Sequence, residues 1–426
     1  NTHLELESLP TGGWGYDHFP LSAGYARTVG MPFLGMTGKF HLSWGEFGGY
    51  KHPNALRYEA CAAIAQGARV SIGDQLHPDG RMEPATYGII GAGYAEVAAK
   101  EAWCVDATST AEVALLSQEA VGGYAAASQT AHGNACDEGA VRILCEGKVW
   151  FDVVDLAADW SRYRLLVLPD HIRCDDALAA RLRAYVAGGG KVVATGDSGL
   201  AADRDEAVLD LGARAGAPGT LDPSYLSPRF PTAWASTAFV IYGSMRDLVP
   251  TGEVLADRED AYFNRDLVHF CSHRHTPNRR GIAGAAITRG KHGTWIAFKA
   301  CEIYQQHGQQ IVRDAVLHAI RTELGGLQVE TSLPAAGRLT LMRQEAQTRD
   351  VLHLLFATPS KRGNGVEVIE DLIPLHQVQV SVRRRSKPSG VMLEPQGAPL
   401  AFTYADGRVS CTVPRLECHQ MVVLAD

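Results

Sequence analysis

The chain has 426 residues, 46% hydrophobic and 20% charged, an ordinary globular make-up long enough for two or three domains. A net charge of −7 argues against a nucleic-acid or anionic-membrane partner, and no apolar run reaches the ~18–20 residues that span a bilayer. The nine cysteines show no paired framework and no Cys-x-x-Cys, which points to reduced thiols in a cytoplasmic setting and away from a structural zinc site.

Residues 1–103 alternate strand and helix patterns. Strand His3–Leu9 alternates carboxylates with leucines, so Glu5 and Glu7 share one face and Leu4 and Leu6 the other. It turns through Pro10, Gly12 and Gly13 into Trp14 and Tyr16. Helix Leu21–Val29 follows, then strand Pro32–His41, whose end runs into an aromatic, Gly-rich loop. Helix Asn54–Gln66 has an apolar face of Leu56, Ala60, Ala63 and Ile64 with Gly67 as its cap. Strand Arg69–Gly73 and helix Pro84–Ala102 complete three β-α units, read as the last three of an eight-unit (β/α) barrel. On that reading the chain starts inside a domain, and by itself it is expected to be inactive and only marginally folded, with an unpaired strand edge.

The next segment reads as a flavodoxin-like α/β unit: strands Glu112–Leu116, Tyr163–Pro169, Lys191–Thr195 and Thr294–Phe298, with helices Asp175–Ala187 and Gln310–Thr322. Residues 200–280 read as irregular. From residue 330, short strands at 338–343, 351–357, 378–382, 391–393, 409–413 and 420–423 predict a small antiparallel β-sandwich. The predicted fold class is thus α/β, in three domains: 1–105, the C-terminal part of a (β/α)8 TIM barrel; 106–327, flavodoxin-like; and 328–426, a β-sandwich.

Paired carboxylates beside aromatic side chains suit the breaking of a glycosidic bond. Glu5 and Glu7 are the first catalytic candidates, as general acid/base or as ligands of sugar hydroxyls; the alternative is a structural pair holding an arginine at a barrel end. Trp14, Tyr16 and Trp44 can stack on a pyranose or pack a loop on the barrel rim. Lys39, His41 and Glu46 follow the second strand, with Glu46 also readable as an exposed loop carboxylate. Asp74 and His77 follow the third, where Asp74 can instead cap the turn at Pro78-Asp-Gly80. Glu302 is a third catalytic candidate, able to reach a barrel mouth or merely to favour a helix N-terminus. His269, His273 and His275 have metal-ligand spacing but no evident carboxylate support, so no metal is assigned. Cys136, Cys145 and Cys174 lack the elbow of a nucleophile. Gly91 and Gly93 lie inside a helical pattern and lack the strand and turn of a dinucleotide loop.

Trp14-Gly-Tyr16 after a Glu-bearing strand, and the run from Gln66 to Pro84, resemble the α-L-fucosidases of glycoside hydrolase family 29. The blocks Met36-Thr-Gly-Lys-Phe-His-Leu-Ser-Trp-Gly-Glu-Phe-Gly-Gly49 and Ser71-Ile-Gly-Asp-Gln-Leu-His-Pro78 are more similar to the fucosidase-like group around glycoside hydrolase family 151. Tyr163-Arg-Leu-Leu-Val-Leu-Pro169 and Leu182-Arg-Ala-Tyr-Val-Ala-Gly-Gly-Gly190 resemble a β-galactosidase trimerisation domain. The resemblance covers residues 1 to about 325 and implies retaining hydrolysis of terminal α-L-fucosides, a glycoside substrate and a homo-oligomer. It also implies a nucleophilic aspartate on an earlier barrel strand, so no residue here takes that role. Carboxylates suffice for the chemistry, and no cofactor is expected. The alternatives are a β-galactosidase-like or arabinosidase-like exo-glycosidase, and a non-catalytic carbohydrate-binding protein.

Overall fold

A computed structural model describes residues 1–123, 128–131 and 133–426. The chain forms two compact units. Unit 1 comprises Asn1–Ala111, Leu144–Val153 and Leu327–Asp426; unit 2 comprises Glu112–Ile143 and Val154–Gly326. The first and last segments, assigned to separate domains from the sequence, therefore share a unit.

In unit 1, strands β1 (Leu4–Glu7), β2 (Phe33–Gly38) and β3 (Arg69–Gly73) form a parallel sheet in the order β1-β2-β3. Helices α1 (His18–Ala26), α2 (Pro53–Ala65) and α3 (Pro84–Lys100) alternate with them. Elements match the sequence reading in kind, and the first two strands are shorter than predicted. Helix α1 starts three residues before Leu21, directly after Asp17. Pro53 sits in the first turn of α2, where its missing N–H costs nothing, and the His52 ring accepts the Asn54 N–H at 3.2 Å.

Leu4, Leu6, Phe19 and Val70 pack against Ala23, Ala26, Phe33, Ala63 and Ala68. Small side chains set this spacing: a Cβ on Gly35 would stand 2.8 Å from the Phe19 ring and 2.9 Å from Ala63. Helix α2 buries a second face as well. Ala55, Tyr58, Cys61 and Ala65 pack on Leu355, Ala357, Ile369 and Cys418. Those residues belong to the C-terminal part of the unit, which holds the two-stranded ribbon 360–363/366–368 and two larger antiparallel sheets. One has strands 398–399, 390–394, 418–425, 349–356, 338–344 and 108–109 in that order; the other has 329–331, 375–383, 408–416 and 402–405.

In unit 2, strands Val113–Leu116, Leu165–Leu168, Lys191–Thr195 and Gly293–Ile296 pair in parallel. Their almost fully buried Val, Leu and Ala runs are what a sheet covered on both faces requires. The expected flavodoxin-like sheet is only part of the arrangement. Residues 200–280, read as irregular, contribute strands Ser224–Pro228, Phe239–Ile241 and Glu253–Ala261, which extend the sheet antiparallel through Asn278–Arg289. Bulges in the 253–261/278–289 pair explain the misreading, because each shifts the alternation by one residue. Helix Ala135–Glu146 is not anticipated by the sequence, whereas helix Ala300–His307 carries Glu302 in its first turn, as the alternative reading of that residue has it. Among the described residues no helix is long and apolar enough to cross a membrane.

Candidate active site

The parallel register of the three-stranded sheet stacks side chains in rows. Glu5 stands beside Leu34 and Arg69, and Glu7 beside Met36 and Ser71. Leu4 and Leu6 go to the opposite face, against α1, so the two carboxylates share the face away from the helices. Among the described residues neither has an ion-pair or hydrogen-bond partner, and Arg69 is not bridged to Glu5. Glu7 ends β1, where parallel α/β folds gather their chemistry.

The next row on this face is glycine, Gly38 beside Gly73. The gap is filled by Trp44 from the loop after β2: a Cβ on Gly73 would fall 2.1 Å from its ring. Trp44 packs edge-on to buried Phe40, with centroids 5.1 Å apart, and still keeps 46% of its surface exposed. The result is an indole fixed over a glycine floor at the C-terminal ends of β2 and β3, with a free flank able to stack on a sugar. Phe47, half exposed, packs against the His77 ring at 5.1 Å and joins the two loops. His41 is exposed beside them.

Lys39 and Glu46 serve mainly to fold this loop. The buried Lys39 ammonium donates to the Glu46 carbonyl at 2.8 Å and lies over the rings of Tyr50 and Phe40 at 4.6 and 5.0 Å. The Glu46 carboxylate accepts the Leu42 N–H at 3.0 Å, which fits the loop-carboxylate alternative. Asp74 differs: its Oδ2 is buried and has no hydrogen-bond partner among the described residues. Partial burial, then this carboxylate, raise the Tyr87 phenol above its ordinary pKa.

Tyr16 requires a correction. It does not join the Glu5/Glu7 face but turns toward the helices, where its hydroxyl donates to Glu59 Oε1 at 3.2 Å and its ring meets Tyr58 edge-on. Burial, reinforced by Glu59, drives its phenol far above the usual range. Glu59 Oε2 also accepts from Thr37 at 2.5 Å and from Lys51 at 2.6 Å, and Lys51 is 1% exposed. Tyr16 is therefore a strut of a buried ionic cluster. Trp14 lies 4.7 Å from the His18 ring, edge-on, in the loop that Gly13 and Gly15 turn with positive φ.

Glu302 also departs from expectation. It lies in unit 2, where its Oε1 accepts from Ser128 at 2.8 Å and its Oε2 meets His171 Nε2 at 3.3 Å. The hydrogen bond from His171, then Ser128 and Lys299, hold its pKa down at about 2 against the opposing effect of burial. A general acid near neutral pH needs the opposite shift, so this environment does not favour Glu302 as the acid.

Comparison with known proteins bears on this geometry. Residues 142–224 match the model of the β-galactosidase trimerisation domain. No curated protein sequence matches the chain. Among solved structures, α-L-fucosidase isoenzyme 2 from Paenibacillus thiaminolyticus is 49% identical with a TM-score of 0.96, over 100% of this chain and 65% of that one. The chain is fucosidase-like throughout its length. The resemblance read from the sequence is thereby shown, although the chain spans under two thirds of that relative. The β-galactosidases of Bacillus circulans sp. alkalophilus (15% identical, TM-score 0.66, 99% of this chain and 60% of that) and of Halorubrum lacusprofundi (15%, 0.61, 99% and 60%) share the fold.

Sequence reasoning overlooked the glycine row and Phe47. The available signal was a glycine closing each of two successive strands, followed by an aromatic-rich loop.

Proposed function

We propose that this chain is part of a glycoside hydrolase, a retaining α-L-fucosidase acting on terminal fucosides. The 49% identity to an α-L-fucosidase along the whole chain carries the reading. The Glu5/Glu7 face, with Trp44 at its upper end, supplies matching chemistry. Glu7 is the proposed general acid/base, protonating the leaving oxygen and then activating water. Glu5, one row deeper, helps to set its field. Trp44 with Trp14, His41, Asp74 and His77 would contact the sugar, while Lys39 and Glu46 shape the loop.

In this reading β1–β3 are the closing units of a (β/α)8 barrel, residues 106–327 a flavodoxin-like domain and 328–426 a β-sandwich. A homo-oligomer is proposed from the matched trimerisation-domain model, and a cytoplasmic location from nine free cysteines. Nitrophenyl α-L-fucoside, β-galactoside and α-arabinoside, assayed with the protein that carries this chain, test the function. Turnover of the fucoside at least tenfold faster than the others is expected; no fucoside turnover overturns the reading.

A further inference from the structure

Unit 2 gathers three side chains outside the proposed Glu5/Glu7 site. Cys136 in helix Ala135–Glu146, His171 after strand Leu165–Leu168 and Glu302 in the first turn of helix Ala300–His307 bring a sulfur, a ring nitrogen and a carboxylate oxygen within 4.8 Å of one another. They come from three elements, and local order holds each in place. The backbone at Asp170 is left-handed, φ 44°, a conformation that costs ~1 kcal/mol or more outside glycine. That turn directs His171 toward Glu302. Asp170 itself, fully buried, accepts hydrogen bonds from Thr195 Oγ1 at 2.5 Å, the Glu302 N–H at 2.7 Å and the Cys301 N–H at 3.3 Å.

Three observations favour a bound dication. The His171 Nε2–Glu302 Oε2 separation of 3.3 Å exceeds the ~2.7–2.9 Å of a charge-assisted hydrogen bond. It is close to the ~3.4 Å edge of a tetrahedron whose N and O ligands stand ~2.0–2.2 Å from zinc. Glu302 Oε1 accepts from the Ser128 hydroxyl at 2.8 Å, the outer-shell bond that orients a ligating carboxylate. Finally, Asp170 is buried with hydrogen bonds but no ion pair among the described residues, and Lys299 Nζ, half exposed, stands 4.0 Å from Glu302. A divalent cation between the three ligands would offset the remaining negative charge. Burial, then Asp170 and Glu302, push the Cys136 thiol well up, which disfavours a free thiolate nucleophile.

We propose that Cys136, His171 and Glu302 form a three-ligand zinc site in unit 2. Thiolate and imidazole with one carboxylate select zinc over magnesium or calcium. On binding, the S–H bond breaks, the Zn–S bond forms and one proton is released to solvent. The proposal is independent of the fucosidase reading.

The test is metal analysis of the purified chain after equilibration with zinc and gel filtration, paired with cobalt(II) substitution. One zinc per chain is expected, with a near-ultraviolet thiolate-to-cobalt absorption that Cys136→Ser abolishes. His171→Ala should weaken zinc at least tenfold and Ser128→Ala about tenfold, the range for an outer-shell partner. Circular dichroism checks folding of each variant, and Ser128→Ala serves if the ligand variants unfold. Zinc retained unchanged in Cys136→Ser and His171→Ala overturns the site, as does zinc lost only in His269→Ala/His273→Ala. Rapid iodoacetamide labelling of Cys136 in the zinc-equilibrated chain would also overturn it, in favour of a nucleophilic thiol.

Discussion

Glu7 closes β1, and Glu5 lies two residues, ~6.6 Å, below it on the same face. Position thus separates two residues that composition treats alike. In the protein that carries this chain, Glu7→Ala is expected to slow turnover of poor leaving groups by ~10²–10⁴. Azide should restore part of it, and Glu5→Ala should cost less. Steady-state kinetics with both variants decides which carboxylate is the acid. Two other residues give a stability prediction. His353 and His419 are buried with stacked rings and an Nδ1–Nε2 contact of 3.0 Å, and their outer nitrogens have no partner among the described residues. Burial, aided by Lys100, lowers His353 to about 3 and His419 well below its ordinary value. The folded state favours the neutral rings, so their contribution is complete above the unfolded pKa of ~6.5 and is lost as pH falls toward about 3. The midpoint of thermal unfolding should therefore fall steadily as pH drops from 6.5 to 4. A His353→Phe/His419→Phe variant should show a flatter profile over that range.

At the level of elements, the sheet's two faces are specified by different means. The helix face relies on small residues and one buried ionic cluster, and the other on polar residues and a glycine row. Gly73→Ala would force Trp44 off its floor, because the new Cβ meets the ring at 2.1 Å. The expected result is a raised KM for the glycoside, with quenching of Trp44 fluorescence by sugar reduced. On the helix face, Lys51→Met leaves the Glu59 carboxylate buried without its cation. A loss of ~3–5 kcal/mol is expected in chemical denaturation. Most helices and strands of this region were legible because periodicity and Pro or Gly punctuation agree locally: Pro53 opens α2 and Gly67 follows its end. Tyr16 was not legible, since an aromatic after a Gly-Gly turn can face either side of a sheet, and only Glu59, 43 residues later, settles which.

In the whole molecule, the chain passes between two compact units four times, at 111/112, 143/144, 153/154 and 326/327. Each unit has its own apolar core, so calorimetry should resolve two transitions. Lys51→Met should lower only the one belonging to unit 1; a single transition shifted as a whole would refute this. The sequence by itself determined the alternation of Glu5 and Glu7 against Leu4 and Leu6, the three β-α units and the fucosidase-like motifs. Those features depend on neighbours a few residues apart, where strand and helix periods act. Tertiary structure decided the rest. It tied Tyr16 to Glu59, lowered the pKa of Glu302 through His171 and Ser128, and brought residues 1–111 and 327–426 into one unit. It also assembled Cys136, His171 and Glu302 from positions up to 166 residues apart. Burial and pairing arise between distant segments, and no local pattern in the chain encodes which segments will meet.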